Sequence, residues 1–284
     1  MGENAKDSQM QIFDYTTITY WHVLGTYSFK SVIMKAIIFH STKTSFVTLI
    51  LIICSISSLR AGTIYHNSSK AAAGRAARRA EMRMILATAT LVYDEMDLED
   101  SGLSRKAFES AWTGYYKLKK KGLLRNTHIL SICDFSQSSS NQRLYVIDTR
   151  NHRLLYRTYV AHGINSGSAY ASSFSNRMES CKSSIGFYIT STTYNGANGL
   201  SLRIDGLDKG FNDNARKRAI VIHGAGYVSR RILQKYGVMG TTFGCPAIPT
   251  EMTSQIIPVV KNGSCFFIYY PSKKYLAQSP VLNS

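Results

Sequence analysis

A chain of 284 residues that is 44% hydrophobic and 18% charged is long enough to bury a core in one domain with appendages, which excludes disorder throughout. Its 34 Lys+Arg against 17 Asp+Glu give a net charge of +17. That excess draws polyanions, whether nucleic acid, anionic lipid or an acidic cell-wall polymer, and charge alone does not choose among them.

In chain order, residues 1–33 read as an upstream extension. From Met34 the sequence offers a lysine, then the apolar run FVTLILIIC, then small and polar residues to Ala61, which is the pattern of a secretory signal peptide over 34–61. The run from Phe46 to Ile56 is shorter than the roughly 20 residues a membrane span needs. An uncleaved anchor, and with it a membrane tether, is the alternative. Lipid attachment at Cys54 is disfavoured because Ile53 is bulkier than the small residue expected before it. Removing 1–61 takes away 5 Lys+Arg and 3 Asp+Glu and leaves +15, so the mature chain stays basic. Secretion also argues against nucleic acid as a partner.

Four cysteines follow the leader: Cys133, Cys181, Cys245 and Cys265. None forms a C-x-x-C pair or stands beside a histidine at metal-ligand spacing, so neither a metal centre nor a cofactor is expected. In an oxidising compartment the four read as two disulfides. If one thiol is kept for chemistry, at most one bridge remains.

Residues 62–126 read as a helical segment. Within it, 68–98 is rich in Ala, Arg, Met and Leu and free of proline, with a basic, solvated first half. A second helix starts at the cap Ser104, with Leu103 and Phe108 as a hydrophobic staple. Ala107, Ala111, Tyr115 and Leu118 share its apolar face, and Gly122 stops it. Over 127–271 the pattern changes to short strands: ILSICDF, RLYVIDT, RLLYRTYVAHG, GFYITSTTY, LSLRIDGL, RAIVIHGA and SCFFIYYP. A hairpin is expected about Arg150-Asn151, and a short helix, SRRILQKYG, between the last two strands. FSQSSSN and GINSGSAYASSFSN are loops of the kind that carry binding groups. Residues 272–284 read as a C-terminal tail.

The chemistry centres on GTTFGCPAIP, where Cys245 is either a catalytic nucleophile or a small buried hydrophobe in a turn. Thiolate attack on an acyl carbon needs a base and N–H donors for the oxyanion. Gly244 would let a carbonyl approach the backbone, and Pro246 fixes the chain direction after the thiol. His223 ends the apolar strand AIVIH before Gly224, so its ring can project from a rigid strand end. Taken alone, the Cys/His pair is weak evidence.

The wording around the pair adds to it. SLRIDGLDKGFNDNARKRAIVIHGAGYVS, then GTTFGCPAIP and VKNGSCFFIYYP, together with ILSICDFS, QRLYVIDT, TYVAHGINSG, SFSN and SSIGFYIT upstream, resemble the L,D-transpeptidase catalytic domain in its murein-transpeptidase branch, over about residues 108–271. The resemblance implies a mainly β fold, a β-sandwich or partly open barrel, with N-terminal helices and a short helix between the His and Cys segments. It implies Cys245 as nucleophile, His223 as general base, and Thr242, Phe243, Gly244 and Gly224 as oxyanion or positioning residues, with the amides of Phe243, Gly244 and Cys245 as oxyanion donors. The implied reaction is acyl transfer on peptidoglycan stem peptides. Cys245 attacks before the terminal D-alanine, holds a thioester, and passes the acyl group to an amine of a second stem, a 3→3 crosslink.

Arg218 and Arg203 either hold a donor carboxylate by paired hydrogen bonds or are surface arginines. His162, Ser175 and Asn176 either line the cleft or are structural. The branch commonly writes Arg-Ser-Trp before Gly-Cys, whereas this chain has Thr241, Thr242 and Phe243, which removes a cation beside the thiol. Cys181 either pairs with Cys133 or is a free thiol, and Cys265 reads as core. The expected protein is a secreted enzyme of the periplasm or cell envelope acting on donor and acceptor stem peptides. The alternatives are an L,D-carboxypeptidase or amidase with water as acceptor, or a catalytically silent wall-binding module.

Overall fold

The structure is a computed structural model that describes residues 72–283 together with Lys70. The expected extension over 1–33 and the signal segment over 34–61 lie outside the described residues. Among the described residues no helix is long and apolar enough to cross a membrane. Ala73–Ser284 forms one compact unit.

The first helix of this unit, through 73–95, turns Ile85, Ala89, Val92 and Tyr93 inward and leaves Arg75, Arg78, Arg79 and Arg83 exposed. The spacing of the buried four is that of one helical face. The hydroxyl of Tyr93 then donates to Leu103 O at 2.5 Å, closing the turn into the next helix, Arg105–Lys120. Its N-cap is Ser104, whose Oγ accepts from Ala107 N–H at 3.2 Å. Leu103 and Phe108 are buried as the staple requires. After Lys120 the amide of Leu123 reaches back to Leu118 O at 3.1 Å, which ends the helix at Gly122. The buried face of this helix packs on the centre of the sheet.

Eight strands make one mixed sheet: β1 Ile129–Asp134, β2 Leu144–Asp148, β3 Arg153–Thr158, β4 Gly186–Gly196, β5 Gly199–Gly206, β6 Val221–Gly224, β7 Ala247–Ile248 and β8 Cys265–Tyr269. Their order is β3-β2-β1-β8-β4-β5-β6-β7, and the sheet is nearly closed into a barrel. The mainly β expectation holds. The pairs β1–β8 and β6–β7 are parallel and the others antiparallel. Strands β1 and β8 are buried at every position, as central strands covered on both faces are, whereas the edge strand β3 is largely open. The β2–β3 hairpin turns where expected, because Asp148 Oδ1 accepts from the amides of Arg150 and Asn151 at 2.9 and 3.1 Å.

Two elements are missing from the sequence reading. Strand β7 lies inside what reads as a turn, and the helix Thr253–Val260 contains Pro258. The helix forms because Ile256, Ile257 and Val260 bury a shared face. The supposed tail is also built in. A helix, Lys273–Gln278, is capped by Ser272, and the segment is tied down by the buried carboxylate of Asp208. Asp208 Oδ2 accepts from Phe187 N–H at 2.8 Å and Tyr275 O–H at 2.9 Å, and Oδ1 accepts from Ser279 O–H at 2.5 Å and Val281 N–H at 3.3 Å.

All four described cysteines are free thiols. The disulfide readings are therefore corrected. Cys133 lies wholly inside β1, whereas Cys181 sits half-buried on a loop. Cys265 is core, as expected.

Candidate active site

The register of two short parallel strands brings the sequence-distant Cys245 and His223 segments together. His223 on β6 pairs with Ala247 on β7, and Gly224 pairs with Ile248. Two residues before each member of the first pair, Val221 N–H donates to Cys245 Sγ, in the loop ahead of β7, at 3.5 Å. Strand alternation puts Val221 and His223 on one sheet face, with Ser201 and Arg203 beside them on β5. The thiol in turn donates to Ala219 O at 3.7 Å. His223 and Cys245 are not hydrogen-bonded to each other.

His223 is buried, and its Nδ1 lies 2.9 Å from Gly224 O. A carbonyl only accepts, so Nδ1 carries the proton and Nε2 is left as the basic nitrogen. Gly224 itself has no room for a side chain, since a Cβ there would meet Thr253 Cγ2 at 2.7 Å.

The loop before the thiol is held from within. Thr242 Oγ1 donates to Cys245 O at 2.8 Å and accepts from Gly244 N–H at 2.9 Å. That second bond occupies one of the three amides expected at the oxyanion site. Among the described residues the amides of Phe243 and Cys245 donate to no partner, so they are the pair that remains. Gly244 has φ +123°, and a Cβ would stand 2.7 Å from Lys182 O and 3.1 Å from Arg218 Nη2. Only glycine fits such a backbone at that approach. Phe243, 79% exposed, leans over a cavity of about 330 Å³ that is also lined by Met178, Cys181, Lys217 and Arg218.

Arg218 is neither a surface arginine nor an open carboxylate clamp. Nη1 donates to Ser175 O at 2.7 Å and Ser184 Oγ at 3.3 Å, and Nη2 donates to Lys182 O at 2.5 Å and Ser180 Oγ at 3.3 Å. The fork is thus spent on the loop through 175–184, and the charge faces the thiol. Burial pushes Cys245 above its ordinary thiol value, while Val221 N–H and then the Arg218 charge pull it back. The cation missing at Thr241 is in this way replaced from another segment. Arg203 is exposed on β5, with its guanidinium 4.4 Å from the Tyr194 ring centre.

The remaining expected residues divide. Ser175 and Asn176 line a different cavity, of about 360 Å³, between the loop through 172–176 and Phe211 and Tyr270. Asn176 is committed there to Asp213 and Asn214. His162 does not line the cleft. It is 1% exposed, and both ring nitrogens are engaged, Nδ1 with Arg143 Nη2 at 2.7 Å and Nε2 with Gly167 O at 3.0 Å. Burial first, and then the Arg143 charge, lower its pKa to about 4. Sequence reasoning missed Arg143, Ser183, whose Oγ donates to Gly244 O at 3.2 Å, and the Val221 amide. None of these carries a local signal, because each acts on a partner far along the chain.

The His162 shift has a measurable consequence. The unfolded chain binds a proton there below its ordinary value of 6.5 and the folded chain does not until about 4, so acid favours unfolding across that window. Folding stability measured by urea titration should therefore fall by up to about 3 kcal/mol between the two values. A His162→Asn chain should lack this component, and an unchanged pH slope in that variant would remove His162 as its source.

Compared with known families, the chain matches the L,D-transpeptidase catalytic domain over residues 99–269, more than half of its length. The chain belongs to the L,D-transpeptidase family.

No curated protein matches it. Among solved structures, this L,D-transpeptidase domain is similar to an L,D-transpeptidase from Mycobacterium smegmatis, at 10% identity and TM-score 0.32, covering 50% of this chain and 59% of that one. An L,D-transpeptidase from Mycobacterium tuberculosis matches at 13% identity and TM-score 0.31, covering 50% and 58%. The helical cell shape determining protein Pgp2 from Campylobacter jejuni matches at 14% identity and TM-score 0.34, covering 57% of each. The chain thus spans less than two thirds of each of these structures.

Proposed function

We propose that this L,D-transpeptidase domain is a cysteine-dependent acyltransferase of the cell envelope that acts on peptidoglycan stem peptides. The observation that carries the reading is the β6–β7 register, which brings the Cys245 thiol, two residues before β7, beside Val221 N–H on the strand that carries His223.

Because burial raises the thiol, a base must take its proton, and His223 Nε2 is the free basic nitrogen on the neighbouring strand. The thiolate then attacks the carbonyl before the terminal D-alanine. The negative oxygen is met by the amides of Phe243 and Cys245, which have no other partner among the described residues. As the C–N bond breaks, His223 returns its proton to the departing amine of D-alanine, leaving a thioester on Cys245. An amine from a second stem, deprotonated by the same histidine, attacks the thioester and regenerates the thiolate. The stem's carboxylates suit a basic surface, and with the Arg218 fork occupied, Lys217 at the rim of the cleft is the cation left to meet one.

The test is the product formed by the full-length chain from tetrapeptide muropeptides. The expected product has the mass of two joined stems less one D-alanine. Tripeptide muropeptide as the sole product would instead assign water as the acceptor and make the enzyme a carboxypeptidase.

A further inference from the structure

The guanidinium of Arg143, just before β2, has no exposed surface and makes no ion pair among the described residues. Its donors go to backbone carbonyls and one ring. Nε and Nη2 reach Val160 O at 3.2 and 3.0 Å, Nη1 reaches Gln137 O at 2.8 Å, and Nη2 also reaches His162 Nδ1 at 2.7 Å. The group lies 4.5 Å from the Phe135 ring centre. A guanidinium only donates, so Nδ1 of His162 accepts and Nε2 carries the proton given to Gly167 O. The imidazole is therefore held at both ends in one tautomer.

What this pair fixes is the chain through 161–164, and the nucleophile loop is laid directly on that chain. Ala161 N–H donates to Ala247 O at 2.8 Å, Thr242 N–H donates to His162 O at 2.9 Å, and Ile164 N–H donates to Thr242 O at 2.7 Å. These bonds hold the loop on both sides of Cys245. Between them the Thr242 hydroxyl relays the constraint, donating to Cys245 O and accepting from Gly244 N–H. A buried polar network with its groups satisfied has one arrangement, since each broken contact strands a donor or acceptor away from water. The loop inherits that single arrangement.

We propose that Arg143 and His162 are positioning residues for the nucleophile. They hold residues 161–164 as a template on which residues 242–247 are registered, and through it they set where Cys245 Sγ stands relative to Val221 N–H and His223. The inference rests on the reading of Cys245 as nucleophile given under Proposed function. Neither residue touches substrate, so their loss should lower turnover more than binding. A misplacement of about 1 Å at a reacting group can cost about 100-fold in rate.

The test compares His162→Leu, which loses both ring contacts, with His162→Asn, whose amide oxygen still accepts from Arg143, in the full-length chain. Hydrogen exchange at the Thr242 and Ile164 amides should accelerate at least tenfold in His162→Leu while the β1 amides stay protected. The kcat on tetrapeptide muropeptides should fall at least tenfold with KM within about twofold, and His162→Asn should recover most of both losses. Should His162→Leu not fold, Arg143→Lys, which keeps the charge but not the forked contacts, should give the same local exchange and kcat loss. Unchanged Thr242 exchange and kcat in a folded variant overturns the proposal, as does exchange that rises equally in β1. Exchange needs no substrate, so loosening at Thr242 in a protein that never turns over muropeptides would uphold the positioning and reject the enzymatic reading.

Discussion

Replacing Cys245 by alanine should lower D-alanine release from tetrapeptide muropeptides by at least about 1,000-fold while leaving the melting temperature almost unchanged. The side chain has two long hydrogen bonds, with Val221 N–H and Ala219 O, and packs only partly buried against the core, so its truncation to alanine disturbs the fold little. In the proposed mechanism, however, it forms the acyl intermediate. His223→Ala should reduce the rate by a comparable factor, because a thiol raised by burial is not ionised without a base. Residual turnover in Cys245→Ala within tenfold of the parent rate would remove the nucleophile assignment. A chain that unfolds on the same substitution would show that the thiol is a packing element.

Asp208→Ala should give the largest loss of stability, about 3–5 kcal/mol, since it leaves four donors without their shared acceptor in a buried site. In a domain of this size that corresponds to a drop of roughly 10 °C in melting temperature. The C-terminal helix should become the first segment cut by protease, because Tyr275, Ser279 and Val281 are anchored to this carboxylate. Arg216→Met serves as the comparison. It breaks an ion pair with Asp205 whose side chains are 45% and 42% exposed, and such a pair contributes under about 1 kcal/mol. Equal losses from the two variants would mean that Asp208 does not anchor the C-terminal segment.

What was legible in the sequence was what local chemistry decides. Ser104, Leu103 and Phe108 announce the helix Arg105–Lys120 within a few residues, and β1, β4, β5 and β8 stand out by their β-branched and aromatic residues. The family resemblance, read from segments between about 108 and 271, falls on the matched residues 99–269. The misses are features that exist only through distant partners. Strand β7 is two residues long and is defined by its pairing with β6, so Gly-Cys-Pro reads as a turn until the partner strand is known. Pro258 argues locally against a helix that burial of Ile256 and Ile257 enforces. Asp208 stands in DGLDKG, where an aspartate between glycines reads as a turn residue, and its four donors come from β4 and the C-terminal segment.

The site divides along the same line. That the Cys245 loop lies beside the strand carrying His223 follows from the β6–β7 register, and the sequence offers only their residue types. Arg218 was visible as a cation near the site, but its carbonyl partners lie at Ser175 and Lys182, so its use as a loop clamp was not. His162 drew notice for standing before Gly163, and its burial against Arg143 depends on a residue that looks like any arginine at the start of a strand. The Thr242 hydroxyl explains why a threonine serves in the lead-in to the thiol. It bridges Gly244 N–H and Cys245 O, a contact that any hydroxyl at this position makes.

Whether Cys245 carries the acyl group can be measured directly. Full-length protein incubated with tetrapeptide muropeptide and quenched in acid should gain, by intact mass, one tripeptide-muropeptide acyl group, with the adduct mapped to the peptide containing Cys245 and one D-alanine released per adduct. D-alanine release with no adduct on Cys245, or an adduct that persists in Cys245→Ala, would contradict it.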